Sequence, residues 1–106
     1  MCPGYIFPIM KEPITEFEFV TSALKQYYRM AEQAYICGGA YKVEFIISPN
    51  RMLYIRIYTP SIADSDGWKM SDHFDVSLGH AEAFRWNLGK LEEFTANIIT
   101  RYSSRS

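Results

Sequence analysis

The side chains with the most chemical potential gather in one acidic stretch, where Asp64, Asp66, Asp72 and Asp75 surround His73, with Ser71 close by. Asp64-Ser65-Asp66-Gly67 has the form of part of a calcium loop, in which alternate side chains supply oxygens and a glycine makes the turn. Placing Gly67 at the invariant glycine puts Ile62 at the first ligand position and His73 where a bidentate Glu is required. Two ligands are missing, so the stretch reads as an acidic turn. Ser71-Asp72-His73 holds the residue types of a hydrolase triad, but a triad is a spatial constellation, and neighbours along a strand point to opposite faces. His73 and His80 have no evident second shell and read as surface or capping residues. Cys37 precedes Gly38-Gly39 at an expected helix end, where the helix dipole disfavours a thiolate. There is no glycine-rich phosphate loop after a strand, no CxxC pair and no HExxH. The expectation is a non-catalytic protein with no metal and no cofactor; a small enzyme without a recognisable motif is one alternative.

The elements that would position these residues are organised around Tyr41 to Thr59, a β-hairpin by its alternation. Val43, Phe45 and Ile47 alternate with Lys42, Glu44 and Ile46; Leu53, Ile55 and Ile57 alternate with Tyr54, Arg56 and Tyr58. Opposed residues must share a face. A two-residue loop would set Phe45 against Tyr54 and Val43 against Arg56, mixing the faces. A three-residue loop, Pro49 to Arg51, pairs Ile47 with Leu53, Phe45 with Ile55 and Val43 with Ile57, and also brings Glu44 opposite Arg56 and Lys42 opposite Tyr58.

Residues 1–13 hold three prolines and the apolar cluster Tyr5-Ile6-Phe7, the composition of an extended arm or an irregular edge strand. Thr15-Glu16-Phe17-Glu18 matches a capping box, and Ile14 with Phe19 matches a hydrophobic staple, so a helix is expected over 14–37. Its apolar stripe would be Phe17, Val20, Leu24, Tyr27, Tyr28, Ala31 and Tyr35, closed by Gly38-Gly39. After the hairpin, 60–69 reads as a polar loop, and Phe74, Val76 and Leu78 mark a third strand over 72–78. A second helix is expected over 79–102, with Phe84, Leu88, Leu91, Phe94, Thr95, Ile98 and Tyr102 inward. Gly89 interrupts it, as a kink or a close approach to the sheet would require. The fold class is therefore α+β in the order helix-strand-strand-strand-helix, with a small antiparallel sheet and both helices on one face. One core should join Phe45, Ile55, Leu24 and Leu91.

At 106 residues the chain suits a single domain, 1–106, and its 48% hydrophobic content is enough to fold without disulfides. Eleven Lys and Arg against twelve Asp and Glu give a formal charge of −1, with the basic residues scattered, which argues against a general polyanion binder. Two cysteines, Cys2 and Cys37, without a signal-peptide pattern suggest free thiols in the cytoplasm. No apolar run approaches the ~20 residues needed to span a bilayer.

Committing one hairpin face to the helices leaves Tyr54, Arg56 and Tyr58 outside the core, beside Lys42, Glu44 and Ile46. Tyrosine and arginine are enriched at binding hot spots, although tyrosine is also simply a good strand residue. Trp86 falls opposite the inward stripe of the second helix and is left for the Tyr5-Ile6-Phe7 arm or a partner to cover. The expected function is protein binding or self-association through Tyr54, Arg56, Tyr58 and Lys42, with Trp86 as an anchor on a different surface. Such a protein would act by blocking a larger complex, as small inhibitors carried by phages or mobile elements do, including host-defence and anti-CRISPR-type inhibitors. The alternative is RNA or single-stranded nucleic-acid binding by the aromatic face. Double-stranded-RNA-binding domains share the order of elements, but no basic cluster opens the second helix here to clamp phosphates.

Overall fold

The computed structural model describes residues 13–103. The first helix, α1, spans Glu16–Ile36, and its start is fixed by the capping box: the Glu18 amide donates to Thr15 Oγ1 (3.1 Å) and the Thr15 amide to Glu18 Oε1 (3.0 Å). Its end is equally defined. Gly38 (φ 75°) donates to the Tyr35 carbonyl at 3.0 Å, and Gly39 (φ 81°) to that of Ala34 at 2.8 Å, so the last carbonyls are satisfied by backbone that only glycine adopts freely.

The hairpin that follows consists of β1 (Lys42–Ile47) and β2 (Met52–Pro60), in the register the alternation demands: Lys42–Tyr58, Val43–Ile57, Glu44–Arg56, Phe45–Ile55 and Ile47–Leu53. Arg51 donates its amide to the Ser48 carbonyl (2.9 Å) and takes a left-handed φ of 64°, the geometry of a three-residue loop. The third strand, β3, is longer than expected. It covers Trp68–Ser77 rather than 72–78, pairs antiparallel with β2, and leaves Leu78 buried just beyond its end. The register shifts between Ile57–Asp72 and Tyr58–Met70, so Ser71 is an extra residue and the parity of inward and outward positions reverses there. The connecting loop shrinks to 61–67, turned by Gly67 at φ 83°. The sheet order is β1-β2-β3.

A short 3-10 helix, Ala81–Ala83, precedes α2 (Phe84–Ser103), so the second helix begins five residues later than the expected 79. Both helices pack against each other and cover one face of the sheet. Phe19 of α1 and Phe84 of α2 stack with ring centroids 4.6 Å apart, over a core of Tyr41, Leu53, Ile55, Ile57, Val76, Leu91 and Ile98. Ile14 packs against this cluster, as a staple residue should.

The face that α1 turns inward differs from the expected stripe. The buried positions are Phe19, Ala23, Gln26, Met30 and Ala34, whereas Phe17 is 80% exposed and Tyr35 87%. Leu24 is only partly buried and stands outside the core that holds Ile55 and Leu91 and against which Phe45 packs. Part of the expected stripe lies over β1 instead, where the rings of Tyr27 and Phe45 lie 5.6 Å apart. Gly89 is exposed and has open space around it, so neither a close approach nor a tight contact explains it.

Candidate functional site

With both helices on one side, the other face of the sheet is covered by no described element. Alternation sends Lys42, Glu44 and Ile46 of β1 and Tyr54, Arg56 and Tyr58 of β2 to this face. β3 adds to it. Because opposed residues share a face, pairing with Tyr58 and Pro60 places Met70 and Trp68 here, and pairing with Arg56 and Tyr54 places His73 and Asp75 here.

These side chains order one another. Lys42 Nζ lies 4.7 Å from the Trp68 ring centroid and 5.4 Å from that of Tyr58, so one ammonium is shared between two aromatic faces. The Arg56 guanidinium lies 5.0 Å from the Tyr54 ring. Tyr58 donates its hydroxyl to Glu44 Oε1 at 2.8 Å, a bond that pushes its pKa upward because ionisation would place two anions together. Arg56 Nη1 approaches the same carboxylate at 3.9 Å, and His73 Nδ1 lies 3.1 Å from Asp75 Oδ2. Met70 is 51% exposed. The result is a half-buried aromatic surface laced by two basic residues and two carboxylates, with long side chains already held against rings. A partner docking here has less rotamer freedom left to freeze.

Four of the five expected binding residues, Lys42, Tyr54, Arg56 and Tyr58, are therefore brought together. Trp86 is not among them: it lies on α2, 66% exposed, with Lys90 Nζ 5.2 Å from its ring. The idea that the Tyr5-Ile6-Phe7 arm covers it falls outside the described residues. Trp68 and Met70 belong to the face, although the pattern alone puts Trp68 in the polar loop and leaves Met70 before the third strand. Their alternate spacing is a strand signal, and the extra Ser71 hides its continuity with Phe74 and Val76.

Ser71, Asp72 and His73 take three different partners. Ser71 Oγ lies 2.6 Å from Thr59 Oγ1, Asp72 accepts from Arg101 Nη1 at 2.6 Å, and His73 pairs with Asp75, so no triad geometry arises. Asp64 and Asp66 serve the turn: Gly67 donates to the Asp64 carbonyl (3.0 Å) and Trp68 to Asp66 Oδ1 (3.2 Å). Among the described residues no group of three or more His, Cys, Asp or Glu is placed to hold a metal ion. His80 is the N-cap residue of the 3-10 helix, without a side-chain cap bond, and lies near Glu82. Cys37 is a free thiol at the C-cap of α1, while Cys2 lies outside the described residues. Among the described residues no helix is long and apolar enough to cross a membrane. Comparison with protein-family models, curated proteins and solved structures found no match.

Proposed function

We propose that this chain is a non-catalytic interaction protein that binds a macromolecular partner, foremost another protein, through the open face of its sheet. The observation that carries this reading is the cluster of Tyr54, Tyr58, Trp68 and Met70 on one face that no described element covers, with Lys42 and Arg56 lying on the rings. Aromatic residues, Met and Arg are the types enriched at the centres of protein interfaces. Glu44 and Asp75 stand among the cations, and this mixed charge suits a protein surface better than a phosphate backbone. Binding would act by occupancy: a small domain masks the surface that a larger complex needs, the mode of action of inhibitors carried by phages and mobile elements. Two copies meeting face to face are the simplest form of the same chemistry, since each would cover the other's aromatics.

The second reading, single-stranded nucleic acid stacked on the aromatics, draws on Trp68 and Tyr58 beside Lys42. The two readings separate on co-purification of the tagged chain with and without Tyr58→Ala and Trp68→Ala together. The protein reading expects a stoichiometric protein that the double variant fails to retain and whose retention changes little with salt. Bound RNA, released steeply as salt rises, would favour the second reading. A partner retained equally by parent and variant would remove this face from consideration.

A further inference from the structure

On the helix side of the sheet the apolar lining gives way to polar side chains at one end. Opposed residues share a face, so Thr59 of β2 and its partner Lys69 of β3 lie on the side that carries Ile55 and Ile57, one step beyond the core. The bulge brings Ser71 to the same place, with its Oγ 2.6 Å from Thr59 Oγ1. Facing them is the last turn of α2, with Arg101 and Tyr102. A cavity of about 630 Å³ lies between, closed at its sides by Ala40 and Pro60. Cavities of this size take small molecules.

One wall of the cavity is built of hydrogen-bond donors. Lys69 has no acidic partner among the described residues. Arg101 Nη1 donates to Asp72 Oδ2 at 2.6 Å, which holds the guanidinium at the rim, and as the basic residue in the last turn of α2 it offsets the negative end of the helix dipole. Among the described residues no Asp or Glu lines the cavity itself. Lys69 and Arg101 together outweigh the single carboxylate of Asp72, so the site carries surplus positive charge. In the Thr59–Ser71 pair one hydroxyl donates to the other, and the accepting hydroxyl keeps its own hydrogen for a third oxygen. The opposite wall is apolar: Ala40, Pro60 and the ring of Tyr102, which is held against Tyr41 with centroids 4.8 Å apart.

We infer that this cavity binds a small organic anion, with a phosphate or carboxylate head between Lys69 and the two hydroxyls and an apolar body on Pro60 and the Tyr102 ring. An oxyanion only accepts hydrogen bonds, and it answers the surplus charge that a neutral ligand would leave unmet. A cation would be repelled by Lys69 and Arg101. The site lies on the opposite side of the sheet from Tyr54 and Tyr58, so it is separate from the surface proposed to bind protein.

Amide chemical shifts of the full 106-residue chain, titrated with phenyl phosphate and in parallel with benzoate, test this. At least one of the two should move the Ala40, Lys69 and Ser71 amides along a saturable curve with a dissociation constant of about 1 mM or below, and leave the Tyr54 amide in place. The tighter of the two identifies the head group. Lys69→Gln changes an exposed side chain, so its melting should match the parent while its affinity falls by about tenfold, the scale of one charge-assisted hydrogen bond. Tyr54→Ala, on the other face, should bind both probes as the parent does. The absence of a saturable shift with either probe would overturn the inference. So would shifts spread evenly over the basic residues, or an unchanged affinity in Lys69→Gln.

Discussion

Tyr41 is the side chain whose environment makes the sharpest demand on pH. It is buried immediately before β1, donates its hydroxyl to the Met30 carbonyl at 2.7 Å, and lies against Tyr102 with ring centroids 4.8 Å apart. Burial, helped by Cys37 and Tyr102, pushes its phenol up to about 12. In the unfolded chain the phenol ionises near ~10, so between those values the unfolded state has lost a proton that the folded state keeps. Stability should be fully present below that range and decline as pH rises through it. Urea midpoints should show this decline in the parent and a shallower one in Tyr41→Phe, which loses about 1 kcal/mol at neutral pH with its hydrogen bond. Parallel pH profiles would mean that the phenol is not the group titrating. Thr95 makes the opposite case: its Oγ1 is buried on α2 without a hydrogen-bond partner. Thr95→Val keeps the shape and removes the unpaired hydroxyl, so its midpoint should rise by an amount equivalent to about 1 kcal/mol. A loss of stability there would show that the hydroxyl has a partner in solution.

At the scale of elements, Gly89 is the plainest weakness. It lies in the interior of α2, and a Cβ added there meets nothing within 4 Å. Gly89→Ala should therefore stabilise by about 0.5–1 kcal/mol in thermal or chemical unfolding; destabilisation would point to a backbone the helix geometry does not show. Where the chain announces its elements, it does so through signals with one physical reading. Thr15 with Glu18, Gly38-Gly39 and the parity of Phe45 against Ile55 each admitted a single geometry, and each is observed. On α1, apolar bulk is not the guide to burial. The helix presents two overlapping apolar rows, and the buried one contains two alanines and Gln26, whose side chain accepts from Arg29 at 2.9 Å. The buried row is the one that meets α2, where Phe84 stacks on Phe19, and no local pattern in α1 records that neighbour. The length of β3 is hidden for a different reason. A period of two cannot survive an inserted residue, so Trp68 and Met70 lost their link to Phe74 once Ser71 bulged.

For the whole molecule, two helices on one side of a three-stranded sheet leave one broad face that no described element covers, and the chain has furnished it with rings and cations instead of the short polar side chains that a solvated sheet would carry. Half of that face was legible in the hairpin, because committing Val43, Phe45, Ile55 and Ile57 inward decided where Tyr54, Arg56 and Tyr58 must point. The other half, contributed by β3, required the register shift to be seen. The proposal that this face binds a protein makes the fold and the binding surface separable, since Leu91 lies in the core and Tyr54 and Tyr58 lie outside it. Leu91→Ala should cost roughly 2–5 kcal/mol of stability. The most direct measurement is sedimentation velocity across a concentration series, alone and with the co-purified protein, comparing the parent with a Tyr54→Ala, Tyr58→Ala double variant whose melting is recorded in parallel. The variant should melt close to the parent and no longer form the larger species. A variant that associates as the parent does, with melting likewise unchanged, would contradict it and leave the open face as solvated sheet.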